Sequence, residues 1–281
     1  MVATTMVTHN YNYRDVLANS KKVAWTEDQV LNGRRFGWDM SVNMSHNWSE
    51  VKKLKDNDTT IISGYIQHKI GYAPWSWFAE RIVSAQYDPT TKKAVNAMCD
   101  DGKGGATPCL DANGRVIAPR VYLGRLNPAT EGSVSSNFRF FQNFRANVLV
   151  DFKGGFKRLD NNYRIRCQIF NTCLERMYPE STDPKKLAGM QTNGTLRDWV
   201  IIDDSFAKLR EVSLSYDVPA QYTRYIGGRG ATMNLAGRNL HTWTNYTGLD
   251  PEAQFLGGGN NVDQAELPQL TQFVFTVHLT Y

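Results

Sequence analysis

The side chains of this 281-residue chain that could do chemistry are four cysteines, five histidines and a few paired carboxylates. Cys99 and Cys109 bracket a polar, glycine-rich loop, and Cys167 and Cys173 bracket Gln-Ile-Phe-Asn-Thr. Neither pair has the C-x2-C spacing of zinc or redox sites, and no histidine lies beside either. Short polar loops closed by cysteines point to disulfides in an oxidising compartment, with four free thiols as the alternative. His9, His46, His68, His241 and His278 are scattered and pair with no nucleophile. Asp100-Asp101 and Asp203-Asp204 lack the spaced oxygen ligands of a calcium loop and read as solvated charge; Asp111-Ala-Asn-Gly reads as a turn. The expectation is a protein that is not an enzyme and needs no metal or cofactor.

Charge narrows the partners. There are 32 basic and 27 acidic residues, a net charge of +5, well mixed along the chain. Phe138-Arg-Phe-Phe-Gln-Asn-Phe-Arg145 interleaves rings and cations as single-strand nucleic-acid platforms do, but it also fits the base of a β-hairpin. Nucleic acid is not an expected partner. No apolar run approaches the ~18 residues of a membrane-spanning helix. Met1-Val-Ala-Thr-Thr-Met has neither the basic nor the apolar region of a secretory leader. If the chain is a membrane barrel, it is expected to be incomplete at its front.

The elements that carry these residues read as strands. At the C-terminus Phe273, Phe275, Val277, Leu279 and Tyr281 alternate with mostly polar residues, so one face is oily and the other wet. Phe36, Trp38, Met40, Val42, Met44, His46 and Trp48 alternate in the same way. Trp38 and Trp48, ten residues apart on one face, would stand roughly 23 Å apart along a membrane normal if the strand tilts by about 45°. That matches an apolar band with aromatic girdles at both rims. A weak strand over Lys22 to Leu31 turns at Asn32-Gly33. A hairpin runs from Gly132 to Phe152 with its tip near Gln142-Asn143, and two further strands cover Phe206 to Asp217 and Ala231 to Leu240. Pro219 stops the first of these.

These seven strands are all-β and antiparallel, and their connections alternate in length. The long ones, about 49–132, 153–205 and 241–270, contain all four cysteines; residues 1–20 are poorly assigned. If the strands run up and down, the long loops share one end, as in outer-membrane barrels. Thr60 to Tyr72 and Trp75 to Arg81 are aromatic-rich and could add strands over the mouth. Trp75, Trp77, Trp243 and Tyr246 could stack on sugar rings or pack under a lid. Arg145, Asn147, Asp151, Asn234 and Arg238 would face the lumen of such a barrel, either in contact with what fills it or forming an ordinary wet lining.

Several stretches resemble the C-terminal part of SusC/RagA-type TonB-dependent outer-membrane transporters. They are Tyr122-Leu-Gly-Arg-Leu-Asn-Pro128 followed by Gly132-Ser, Leu149-Val-Asp-Phe-Lys-Gly-Gly-Phe156, Asp204-Ser-Phe-Ala-Lys-Leu-Arg-Glu-Val-Ser-Leu-Ser-Tyr216 with Pro219, and, most specific, Gly237-Arg-Asn-Leu-His-Thr-Trp-Thr-Asn-Tyr-Thr-Gly-Leu-Asp-Pro-Glu252. The terminal aromatic strand completes a pattern that runs from about residue 20 to 281. The resemblance implies a 22-stranded barrel of which this chain holds about seven strands, the plug being absent. It implies a bacterial outer membrane, import of oligosaccharide or peptide, and a SusD-like lipoprotein over the mouth. It also implies coupling to the TonB complex through a missing N-terminal part, and a terminal strand ending at Tyr281 read by the barrel-assembly machine. The alternatives are a soluble or surface β-sandwich that binds carbohydrate, and an inert truncated fragment.

Overall fold

The computed structural model describes residues 2–12, 36–54, 59–141, 143–192, 195–253, 262–263 and 266–281. Seven strands form one sheet: β1 (Val2–Asn12), β2 (Phe36–Val51), β3 (Thr130–Phe140), β4 (Phe144–Gly154), β5 (Phe206–Val218), β6 (Gly230–Thr244) and β7 (Gln272–Thr280). Each pairs antiparallel with the next in chain order, which makes an up-and-down meander. The period-2 alternation of β2 and β7 fixes their register, because a one-residue slip would turn every apolar side chain to the other face. Among the described residues the sheet begins with Val2–Asn12, aligned Val2 to Val51 and Asn12 to Ser41, while a strand is expected from the sequence at Lys22 to Leu31. That segment and its Asn32-Gly33 turn lie outside the described residues.

The connections differ at the two ends of the sheet. β3 and β4 are joined by three residues. Between β5 and β6, Pro219 ends the strand and a helical turn, Ala220–Thr223, runs into a 3-10 turn closed by Gly227 at φ +72°. At the other end lie the long segments, and these are folded. Thr59–Ser63, Ile66–Lys69, Ser76–Ala79 and Val121–Arg125 form a four-stranded sheet. Ile82–Asp88, Lys93–Asp100 and Ala106–Pro108 form a three-stranded sheet, and Lys157–Asp160, Ile201–Asp203 and Val262–Asp263 another.

Helix α1 (Pro184–Gln191) packs among them. It starts where Asp183 accepts a hydrogen bond from Lys185 N and Pro184 sets the first turn. Gly189 is required on α1 because a Cβ there would lie 2.2 Å from the Trp199 ring.

The hydrophobic core therefore sits in this crown of connections. Ile66, Trp77, Leu159, Met190, Trp199 and Val200 form one buried cluster. Ile82, Ala188 and Leu196 join the buried Cys99 and Cys109 in a second. In the seven-stranded sheet, by contrast, most large apolar side chains on one face are exposed.

Candidate functional surfaces of the sheet and its crown

The strand register stacks the exposed face in rows. Nearest the short turns, Phe36, Phe140, Phe144 and Tyr216 lie side by side across four strands. Phe140 stacks on Phe144 at 5.7 Å, and Phe144 meets Tyr216 at 4.7 Å. One row further, Trp38 lies stacked at 6.3 Å from Phe138. The middle row is aliphatic: Val42, Val134, Val150 and Leu209. Toward the crown, aromatics return with Phe152 and Trp243, and with Trp48 beside His46 at 4.5 Å. Gly132 is the gap in that row, where a Cβ would come within 2.7 Å of the Phe152 ring. Trp48 is 63% exposed, Phe273 77% and Phe275 64%. Soluble monomers rarely expose a contiguous apolar patch beyond a few hundred Å², so this face needs a cover.

The terminal strand follows the same plan. Phe273, Phe275, Val277 and Leu279 lie beside Gly237, Leu235, Met233 and Ala231, and Tyr281 extends one residue past the last pair.

The opposite face is polar and cross-linked by its own pairs. Arg145 pairs with Asp217 at 2.8 Å, Asn147 donates to Asn137 Oδ1 at 2.8 Å, Ser215 bonds Asn234 at 3.0 Å, and Arg238 pairs with Glu211 at 3.0 Å. Each predicted lumen residue lies on this face and is engaged by a cross-strand partner, so an inner lining is built into the wall.

A bulge links this wall to the crown. Register slips at Arg210, so Leu209 and Glu211 face consecutive residues of β4 and Arg210 faces none. On β6, Asn239 and Leu240 fall between the partners of Leu209 and Glu211, with Asn239 at φ +52°. Lys208, buried, holds Asp250 at 2.6 Å and Glu252 at 2.9 Å. Arg210 pairs with Glu252, with Asp151 at 2.7 Å and with Gln269 at 2.8 Å. Arg158 donates to the carbonyls of Pro251 and Ala253. Three cations thus clamp residues 250–253. Burial opposes the charge on Asp250 and Glu252, yet hydrogen bonds from Lys208 and, at Glu252, Arg210 hold both carboxyls below their ordinary range. This network was not read from the sequence. The signal was present as Lys208-Leu-Arg210 on a strand and Asp250-Pro-Glu252 in the last connection.

The two cysteine pairs are disulfides, Cys99–Cys109 and Cys167–Cys173, each within the crown. Glu175 lies near the second pair, but both sulfurs are consumed in the bond, so the three do not make a metal site. Asp204 corrects the reading of solvated loop charge: it is fully buried and pairs with Arg158 at 2.8 Å. Asp101 and Asp111 cap their own turns, accepting from backbone N–H groups up to four residues on.

The loop aromatics separate. Trp77 is 2% exposed with its indole N–H on Lys157 O, and Tyr246 is 6% exposed, so both are packed inside. Trp75 is partly exposed against His68, and Trp243 lies on the apolar face beside His241. Burial pushes Asp198 up to about 6, against hydrogen bonds from the Ile82 and Trp199 N–H groups.

No protein-family model matches the chain. The TonB-dependent receptor P3 of Formosa agariphila is 21% identical over 276 residues, covering 89% of this chain and 27% of that receptor. The TonB-dependent receptor SusC of Bacteroides thetaiotaomicron is 24% identical over 266 residues, covering 88% of this chain and 24% of that receptor. The chain thus spans about a quarter of the length of these relatives. Among solved structures, the RagAB peptide importer in its 'open-open' state matches 100% of this chain and 28% of its own with a TM-score of 0.70 at 17% identity. The RagAB peptide transporter matches 99% of this chain and 29% of its own with a TM-score of 0.69 at 18% identity. In sequence the chain is similar to TonB-dependent receptors, SusC among them, over about nine-tenths of its length, and its fold is that of a part of the RagAB importer.

Proposed function

We propose that this chain forms a C-terminal part of the wall and the extracellular crown of an energised nutrient importer in a bacterial outer membrane. The observation that carries the reading is the two-faced sheet: an apolar outer face graded from rings through aliphatics back to rings, against a polar inner face closed by its own pairs. Lipid covers the first face, and a wet lumen meets the second. The remaining strands and an N-terminal plug complete the pore. The TonB complex pulls on the N-terminal side of that plug, and a SusD-like lipoprotein lids the mouth above the crown.

No bond chemistry is involved. The cargo is an oligosaccharide or a peptide, the latter favoured by the fold likeness to a peptide importer. Trp38 and Trp48 belong to the two girdles. Phe273, Phe275, Val277, Leu279 and Tyr281 form the assembly signal, and Trp75 is the crown aromatic left to meet cargo.

Cell fractionation followed by heat-modifiable gel mobility tests this. A folded band in the outer-membrane fraction that shifts on boiling supports it. A product that stays soluble without detergent overturns it and favours a carbohydrate-binding sandwich.

A further inference from the structure

Where the wall meets the crown, the apolar face is interrupted by a cleft of about 390 Å³. Phe152 on β4 and Trp243 on β6 border it, and both lie beside Ala207 of β5. Gly154 opens the cleft further, since a Cβ there would meet nothing nearer than Ser205 Oγ at 3.9 Å. Ser205 and Asn245 bring polar groups to the rim. The Asn245 amide is exposed and makes no hydrogen bond to the described residues. Lys153 also borders the cleft, but its register sets it with Asp151 on the inner face.

Two rings on the same face on either side of Ala207, with an exposed amide above, suit a ligand with apolar faces and polar edges. A pyranose ring has that form: its C–H faces lie on aromatic side chains while its hydroxyls reach polar groups. The level matters as well. Below the cleft the outer face is aliphatic, as at Val150 and Leu209; above it the chain turns into the crown. A molecule with acyl chains along Val150 and Leu209 would bring its headgroup to this height.

We propose that the Phe152–Trp243 cleft is a binding site for the sugar headgroup of an outer-leaflet glycolipid. The proposal rests on the membrane-wall reading above. Free saccharide cargo shares the ring chemistry, but Phe152, Gly154 and Trp243 belong to the apolar face and not to the polar one. An acyl chain alone would not use the Asn245 amide.

The test uses the protein purified from outer membranes in mild detergent, after its membrane location and heat-modifiable mobility are recorded. Native mass spectrometry then titrates three probes: a glycolipid with a disaccharide headgroup, a phospholipid with the same acyl chains, and the free disaccharide. The expected result is glycolipid binding at least tenfold tighter than either other probe, and lost in both Trp243→Ala and Gly154→Val. The first variant removes a wall of the cleft and the second fills it, so a folding defect in one does not decide the matter. Equal binding of phospholipid and glycolipid, or glycolipid binding that survives both variants, overturns the proposal. So does free disaccharide binding as tightly as the glycolipid, which would give the cleft to cargo. A protein that needs no detergent fails at the first step, and the membrane reading falls with the site.

Discussion

Replacing Val212 with arginine puts a charge in the middle of the outer face. Val212 lies beside Val148 and Gly237 and is 37% exposed to whatever covers the sheet. Under water this would be a surface substitution worth within about 0.5 kcal/mol. Under lipid, an arginine near the bilayer midplane of a barrel costs roughly 2–4 kcal/mol. That is about a 30- to 800-fold change in the folding equilibrium constant. The matched control is Thr276→Arg, on the inner face of β7 beside Asn234. There the new side chain meets water, and the change stays within about 0.5 kcal/mol. Urea titration of vesicle-inserted protein, read by tryptophan fluorescence, measures both. Equal effects at the two positions, or an effect of Val212→Arg below about 0.5 kcal/mol, would refute a lipid-facing sheet.

Three further outcomes follow from the crown. Lys208→Met leaves Asp250 and Glu252 without their buried ammonium; the cost should be about 3–5 kcal/mol, seen as faster hydrogen exchange over residues 245–253, and unchanged exchange there would contradict the clamp. Asp198 has a folded pKa of about 6 against an ordinary 3.8, so its contribution to stability is full below about pH 4 and lost as pH rises through 6. The two-unit shift is worth about 3 kcal/mol, and Asp198→Asn should flatten the fall in melting temperature between pH 4 and 7. Asp250 and Glu252 are shifted the other way, so their contribution is lost as pH falls below the ordinary carboxylate range. Reducing Cys99–Cys109, which closes a ten-residue separation, removes about 3 kcal/mol of chain constraint. Limited proteolysis should then nick residues 93–110 faster; equal rates with and without reductant would show the bridge to be idle.

Much of the wall was legible because alternation is a two-state signal. Each residue of β2 or β7 either faces out or in, and Phe36 to Trp48 and Phe273 to Tyr281 leave no ambiguity. Val2–Asn12 was not read as a strand because it mixes threonine and valine on both parities and sends no comparable signal. The clamp was not legible, since Lys208 and Arg210 have the same parity as each other but Glu211 and Ser213 share their face only because of the bulge. Nor could composition sort the four loop aromatics: a tryptophan in a polar stretch serves a buried core as well as it serves a ligand. Only packing shows that Trp77 supports the crown from within. Asp204 is the same lesson for charge. Its partner Arg158 lies 46 residues earlier, and nothing local marks the pair.

The bulge has a mechanical consequence. Going from β4 to β5 to β6, residue numbers over the same height rise by one at Arg210 and by one again at Asn239 and Leu240. Neighbouring irregularities line up as a crease across the wall, with added local twist. Below it the ladder is regular and stiff; above it the strands lead into the crown. Lys208 and Arg210, which grip residues 250–253, lie at that line. Load placed on the last connection is therefore delivered at the crease, and the regular ladder beneath it is spared the strain.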